Sequence, residues 1–282
     1  MPKSILVSLF TLFALETTYA APQLPSYYPK SFQQQLNSGL KDDSLKEELF
    51  FVLSKAHIVS PDGDTLVENC LNKNDCVEHT SLGYNGARRV MFGRIFLEQD
   101  AKGYFVPDLY CQKNYYASDF RKDPPGPDQI PDHEVLNTEH SWPQSKFSHK
   151  FPKEMQKSDL NILFPVSKEA NSTRSNLPLG DVQNVESSPC PLAKRGSTQE
   201  DDGTYFEPPE QQKGASARAI LYFSVRYKMR IESTEENYLR TWNKRYPPDS
   251  IERSRNEQVY EAQGNRNPFI DAPELADLIS DF

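Results

Sequence analysis

The chain has 282 residues, of which 37% are hydrophobic and 26% are charged, a composition typical of a soluble globular protein with one substantial core or two small ones. The formal net charge of -8 argues against a protein that binds polyanions over its whole surface, because long-range repulsion slows their approach. A local polyanion site stays open, since the stretch 213–255 carries ten basic residues against five acidic ones.

The N-terminus has the pattern of a secretory signal peptide. Lys3 precedes the apolar run ILVSLFTLFAL, and small residues follow at Ala20 and Ala21. We therefore expect residues 1–20 to be removed and residues 21–282 to form a single exported domain, secreted or periplasmic in a bacterium. The apolar run is too short to span a membrane, and no later segment has the ~20 apolar residues that a span requires. The expectation is a monomer without a membrane partner.

Export permits disulfides, and the chain has four cysteines, Cys70, Cys76, Cys111 and Cys190. Four cysteines allow three pairings, and the sequence does not choose among them. A zinc site made of cysteines is the competing interpretation. It is disfavoured because the segment CLNKNDC has no second close pair of cysteines elsewhere in the chain.

Helical periodicity dominates the predicted N-terminal part, about residues 40–125. Two segments, LKDDSLKEELFFVLS and GYNGARRVMFGRIFLEQD, have apolar residues at helical spacing. A strand is predicted in GYFVPDLYC, which is short and rich in aromatic residues. The apolar positions of the two helices are Leu45, Leu49, Val52 and Leu53 in the first, and Ala87, Val90, Met91, Ile95 and Phe96 in the second.

A strand–loop–strand–helix order is predicted for the middle of the chain, about residues 135–180. The proline-rich segment RKDPPGPDQIPDHEV reads as a loop and leads into a strand in VLNTEH. A second strand follows in DLNILFPV, and a helix begins in SKEANSTRSN with Ser167 as its N-cap. The C-terminal part, about residues 213–275, is predicted to be helical, with a buried core helix in GASARAILYFSVRYKM and another in EENYLRTWNKRYPP that ends at two prolines.

The middle segment contains residue types suited to a divalent cation. Mg2+ prefers oxygen ligands and is commonly held by one or two protein groups, which leaves positions for water and phosphate oxygens. Glu139 offers a carboxylate at the end of the first strand, and Asn171 offers an amide oxygen in the first turn of the helix. His140 would point to the other face of a continuous strand. If the strand ends there, as Pro143 suggests, the imidazole can reach the same site and remove a proton from an attacking water.

Four blocks of the sequence occur in the same order as in the endonuclease I family of secreted bacterial nucleases, which the chain resembles from about Lys46 to Leu275. The blocks are NTEHSWPQSKF, SDLNILFPVSKEANSTRSN, FEPPEQQKGASARAILYFSVRY and QGNRNPFIDAPEL. The resemblance implies an α+β fold in which a ββα-metal (His-Me finger) core is embedded in a mixed, largely helical single domain. It also implies a Mg2+-type ion, for which Mn2+ or Ca2+ could substitute, and cleavage of DNA and RNA with little sequence preference, giving 5'-phosphate ends.

The resemblance assigns roles to individual residues. His140 falls on the general base of the family, and Glu139 and Asn171 fall on its metal ligands. Arg174 and Asn176 fall on an R-x-N pattern that would contact phosphate or shape the site.

One family feature is missing from the loop after His140. Some members have an arginine there against the scissile phosphate, whereas SKFSHKFPKEMQKSD has only lysines. Lysine neutralises a phosphate as a point charge but lacks the bidentate geometry of arginine. The cation that acts in the transition state is therefore left open between Arg174 and one of the lysines, with Lys146 predicted to bind substrate.

Other motifs near the site have structural or surface interpretations. Trp142 and Pro143 are expected to cover the motif and end the strand. The helix arginines Arg88, Arg89 and Arg94 are expected to be solvated, and would form a phosphate-binding rim only if they faced the site. The basic stretch 213–255, including Arg218, is the preferred candidate for contacts with the nucleic-acid backbone.

A second function stays open beside the nuclease, namely a non-catalytic nucleic-acid-binding protein on the same scaffold. The missing arginine and the net charge of -8 keep this alternative open, whereas the intact Glu139, His140 and Asn171 argue against it. The sequence does not decide between DNA and RNA, between the periplasm and full secretion, or among the divalent metals.

Overall fold

The computed structural model describes residues 22–282, in which helices and small antiparallel sheets combine into an α+β fold. The predicted signal peptide, residues 1–20, lies outside the described residues. In the described part of the chain, no helix is both long and apolar enough to cross a bilayer.

The N-terminal region alternates helices with two antiparallel sheets. Its helices are α1 (Lys30–Asn37), α2 (Asp42–Ser54) and α3 (Gly83–Val90), and a π-helical turn continues α3 over Met91–Ile95. Its strands are β1 (Ala56–Ile58), β2 (Thr65–Val67), β3 (Cys76–Val77), β4 (Glu98–Asp100), β5 (Gly103–Asp108) and β6 (Lys113–Tyr116), and the sheet orders are β2-β1-β3 and β4-β5-β6.

The helical description of residues 40–125 is therefore corrected. Helices occur where apolar periodicity predicted them, and the four apolar positions predicted for α2 are all buried. The strand in GYFVPDLYC is confirmed as β5. The other strands of this region have only two to four residues, too few for an alternating pattern to be read from sequence.

The middle of the chain forms the predicted strand–loop–strand–helix unit. Its elements are β7 (Leu136–His140), α4 (Lys153–Lys157), β8 (Leu163–Ser167) and α5 (Lys168–Arg174). Strands β7 and β8 pair antiparallel with Glu139 opposite Phe164, and α5 packs against both. The Ser167 side chain accepts a hydrogen bond from the backbone N–H of Ala170, which confirms the predicted N-cap.

The C-terminal region contains a sheet that was not predicted, followed by the predicted helices. The elements are β9 (Asn184–Cys190), β10 (Ala193–Ser197), β11 (Tyr205–Glu207), α6 (Glu210–Tyr227), α7 (Ser233–Arg245), α8 (Ser250–Gln263) and α9 (Pro268–Asp271). Helix α6 is buried along nearly its whole length and forms the centre of the core, as its apolar content predicted.

All four cysteines form disulfides, Cys70 with Cys76 and Cys111 with Cys190. The second bridge joins the chain after β5 to the end of β9. Because no thiol is left free in the described residues, the alternative of a cysteine zinc site is wrong.

Candidate active site

An open cavity of about 420 Å³ lies where β7 ends beside α5. Successive residues of a strand point to opposite faces, but β7 stops at His140, so Glu139 and His140 both line this cavity. Its lining is Thr138, Glu139, His140, Pro143, Gln144, Ser145, Asn171, Ser172, Arg174, Ser175 and Asn176.

The Glu139 carboxylate is buried and held from one side. Its Oε1 accepts a hydrogen bond of 3.1 Å from the hydroxyl of Tyr110 and lies 3.2 Å from Nε of Arg174. The Arg174 N–H does not point at this oxygen, so the contact is an ion pair without a directed hydrogen bond. Burial raises the pKa of Glu139 above its ordinary value, while the Arg174 charge and the Tyr110 hydroxyl oppose the increase. Among the described residues, Oε2 has no hydrogen-bond partner.

The His140 ring is oriented by a backbone carbonyl. Its Nε2 lies 3.0 Å from the carbonyl oxygen of Lys157, at the end of α4. Because a carbonyl can only accept, Nε2 carries the proton, and Nδ1 of the neutral ring keeps its lone pair. Burial, opposed by the hydrogen bond to the Lys157 carbonyl and helped by the positive charges of Lys157, Arg174 and Arg88, lowers the pKa of His140 to about 4. The ring is therefore neutral near pH 7, with Nδ1 facing only a weak contact of 3.4 Å to the Gln144 amide.

The Asn171 side chain is oriented in the same way. Its Nδ2 donates to the carbonyl oxygen of Thr138 at 3.3 Å. Since that carbonyl needs a donor, the amide nitrogen faces Thr138 and the amide oxygen Oδ1 is directed elsewhere. Asn171 lines the cavity, so Oδ1 is an acceptor available to a cation there.

The donor set of the cavity fits a hard divalent cation with few protein ligands. Glu139 supplies a carboxylate oxygen and Asn171 an amide oxygen, both of the kind that Mg2+ prefers. In residues 22–282, no three His, Cys, Asp or Glu side chains converge as a metal-binding group. A cation in this cavity would therefore keep most of its coordination positions for water or phosphate oxygens.

Arg174 and Asn176 both line the cavity but differ in their surroundings. The Arg174 side chain is 1% exposed, and its terminal nitrogens donate to the carbonyl oxygens of Ser141, at 2.6 Å, and Ser175, at 3.1 Å. Its guanidinium thus supports Glu139 and the end of β7. Asn176 is exposed at the rim, where substrate could reach it.

The predicted substrate-binding residue Arg218 lies away from the cavity, and that prediction is corrected. The Arg218 side chain is buried in α6 and makes a bidentate ion pair with Glu252, with Nε to Oε1 at 2.8 Å. It also donates to the carbonyl oxygen of Tyr246. Its donors are engaged within the core, so a phosphate cannot reach them.

Several other basic residues of the stretch 213–255 also have partners within the chain, whereas Lys244 and Arg245 are exposed, and contact of this stretch with the nucleic-acid backbone stays a prediction. Internal partners are found for Lys213 (Asp181 and Glu207), Arg240 (Glu236), Lys228 (Glu47) and Arg255 (the carbonyl oxygens of Leu160 and Leu163).

In the loop after His140, Trp142 packs against the core as expected. Trp142 is buried, stacks on Phe223 of α6 with ring centroids 4.9 Å apart, and donates from Nε1 to the carbonyl oxygen of Lys146. The structural interpretation of Trp142 is confirmed. The Lys146 side chain is exposed beside the cavity residue Ser145, and its contact with substrate stays a prediction.

Three contacts that organise the site were not foreseen from sequence. They are the hydroxyl of Tyr110 on Glu139, the carbonyl of Lys157 on His140, and the amide of Gln144 near Nδ1. Only Gln144, four residues after His140, could have been found from its position, because the others depend on how loops return to the motif.

Comparison with known proteins identifies the family and several similar nucleases. The model of the family described as Endonuclease I matches residues 68–274, a range that includes every cavity-lining residue. An extracellular ribonuclease of Bacillus subtilis is 34% identical over 161 residues, which cover 51% of this chain and 53% of that protein. An extracellular deoxyribonuclease of Aeromonas hydrophila is 32% identical over 114 residues, which cover 40% of this chain and 48% of that protein. The chain spans about half the length of the curated relatives that it matches.

Proposed function

Because the chain belongs to the endonuclease I family, we propose that it is an exported endonuclease that hydrolyses phosphodiester bonds of nucleic acids with the help of a divalent cation. The observation that carries the proposal is the convergence of Glu139, His140 and Asn171 on one cavity. Each of the three is held by a contact on one side and keeps an acceptor atom without a strong protein partner on the other.

The three residues would divide the work between binding and proton transfer. Glu139 and Asn171 would hold Mg2+, or Mn2+ or Ca2+ in its place, through oxygen atoms. When bound, such an ion supplies electrostatic stabilisation of the charge that develops on the phosphate and on the departing oxygen. His140 would accept the proton of the attacking water at Nδ1, since Nε2 is committed to the carbonyl of Lys157.

The remaining cavity residues would position these groups. Arg174 and Tyr110 restrict Glu139 to one orientation, so that Oε2 is presented without a search among rotamers. Asn176 and Lys146 would contact the strand at the rim. Attack by water with departure of the O3' oxygen leaves a 5'-phosphate. Apart from the base His140, the cavity-lining side chains carry no aromatic ring on which a nucleobase could stack, which supports low sequence preference.

The names of the relatives support a broad substrate range and an exported enzyme. One is named as a ribonuclease and another as a deoxyribonuclease, and both are named as extracellular. The two disulfides are of the kind that persists in oxidising compartments. We therefore propose that this chain acts as a monomer on both DNA and RNA outside the cytoplasm.

Metal removal tests the proposal. Incubation of the purified chain, residues 21–282, with supercoiled plasmid and separately with RNA should give cleavage of both in Mg2+, because the cavity provides ligands for that ion. Excess EDTA should abolish the cleavage, and added Mg2+ should restore it, as followed by gel electrophoresis. Cleavage that persists in EDTA would reject the metal. A chain that retards DNA on the gel without cutting it would favour the non-catalytic binding protein.

A further inference from the structure

Two positively charged side chains next to His140 have no acidic partner. Arg88 lies on α3 and Lys157 ends α4, and both are half-buried. Neither side chain forms an ion pair or a hydrogen bond with any residue in 22–282. The Nε of Arg88 is fully enclosed yet has no acceptor. The same Lys157 whose carbonyl orients His140 thus leaves its ammonium group uncommitted.

The ring of Tyr84 lies close to both cations and to His140. Its centroid lies 5.6 Å from that of His140, with the Lys157 Nζ 4.1 Å and the Arg88 Cζ 5.4 Å away from it. Cations at such distances from an aromatic ring are attracted to its face. Tyr84, Arg88 and Lys157 therefore form a positive cluster, called here the Tyr84 cluster, against one side of His140.

The buried arginines and lysines of the described residues all have a polar partner, unlike the two cations of the cluster. Arg174, Arg218 and Arg266 each lie against a carboxylate, and Arg255 donates to two backbone carbonyl oxygens. A cation that is partly removed from water without such a partner is costly to the free protein. Two of them around one aromatic ring repel each other, and an arriving anion would relieve this repulsion.

We propose that the Tyr84 cluster binds a phosphate of the substrate strand that neighbours the scissile one. The inference rests on the proposed nuclease function and adds a second phosphate site to it. The cluster is not part of the lining of the cavity that contains Glu139 and Asn171. Its phosphate is therefore not the one at the metal ligands but one on the other side of His140.

The chemistry of the cluster favours a phosphodiester over other anions. Arg88 offers a planar fork that can donate two hydrogen bonds to phosphate oxygens, and Lys157 adds a point charge. Two neighbouring sites, the cavity and the Tyr84 cluster, would then bind consecutive phosphates of one strand. Such contacts position the strand without selecting its bases.

Methionine substitutions test the cluster, because methionine keeps the apolar stem over Tyr84 and removes the charge. Arg88→Met and Lys157→Met are compared with Arg89→Met, a matched control at an exposed position of the same helix. Binding of a fluorescent 12-nucleotide single-stranded DNA is measured in EDTA, which prevents cleavage, over a series of salt concentrations. Each cluster variant should bind about tenfold more weakly and lower the slope of log affinity against log salt by about 0.7, the share of one phosphate contact on a single strand.

Kinetics in Mg2+ separate this role from a structural one. The cluster variants should raise the KM for the 12-mer and keep kcat close to that of the wild type, with a melting temperature no lower than that of the wild type. If both cluster variants bind the 12-mer as tightly as Arg89→Met does, the phosphate site is overturned. Cleavage by the wild type in the same assay would still support the proposed nuclease function. A wild-type chain that binds the 12-mer but never cuts it would reject the nuclease, whereas the salt slopes would still decide the phosphate site. If Arg88→Met fails to fold, Lys157→Met carries the same prediction alone.

Discussion

Replacing His140 with alanine should slow the cleavage of DNA by about 10²- to 10⁴-fold, the usual contribution of a positioned general base. The reason is geometric: the bond from Nε2 to the carbonyl of Lys157 fixes the tautomer in which Nδ1 is the proton acceptor. The loss should appear in kcat, because His140 is not expected to hold substrate or metal. Single-turnover cleavage of a labelled oligonucleotide measures it, and calorimetric titration with Mg2+ should show unchanged metal affinity.

An exposed histidine provides the control for that experiment. His149 lies nine residues further along the same loop, outside the cavity, and His149→Ala should cleave at the wild-type rate. Near-normal plasmid cleavage by His140→Ala would remove His140 from the mechanism.

A different pattern is expected for the metal ligand. Glu139→Gln should weaken the binding of Mg2+ by more than about tenfold, a loss at least as large as those caused by residues that only support a metal ligand. Activity should then recover partly at high Mg2+ concentration, unlike that of His140→Ala. Glutamine is preferred to alanine because it keeps the shape beside Arg174 and the acceptor for the Tyr110 hydroxyl. Glu134→Gln, an exposed carboxylate just before β7, is the control.

Titration of activity against Mg2+ measures the effect, with circular dichroism to confirm the fold. Loss of the Glu139 charge leaves Arg174 buried without its partner, so some loss of stability is expected too. An activity titration that overlays that of the wild type would show that Glu139 is not a ligand.

The strand–loop–strand–helix unit was predictable because the sequence patterns that indicate its elements are local. Strand β7, the N-cap at Ser167 and helix α5 follow each other within forty residues, and each has its own pattern in the sequence. The Glu139–His140 pair and Asn171 belong to that same segment, so the three cavity residues could be named before the geometry was known.

Other parts of the site depend on contacts that a sequence pattern does not contain. Tyr110 reaches Glu139 across 29 residues, through a turn fixed by the fold around β5 and β8. Strand β9 was missed because its residues are largely exposed and show no alternation of apolar and polar positions.

The incorrect prediction for Arg218 has a similar physical origin. A count of charges along 213–255 shows an excess of basic residues, but it does not show which of them meet a carboxylate after folding. Glu252 of α8 forms an ion pair with Arg218 of α6, so the two charges neutralise each other within the core. Arg88 is the opposite case, since its helix position suggested a solvated charge and the fold turns it toward His140 without a partner.

Anomalous diffraction from a crystal soaked in Mn2+ tests the assignment of the cavity most directly, because it locates the ion without reference to activity. We expect a single strong peak in the cavity, within bonding distance of Glu139 Oε2 and Asn171 Oδ1 and beside the His140 ring, and loss of that peak in Glu139→Gln. A peak elsewhere with the cavity free of metal, or a cavity peak that persists unchanged in the variant, would show that Glu139 and Asn171 are not the metal ligands.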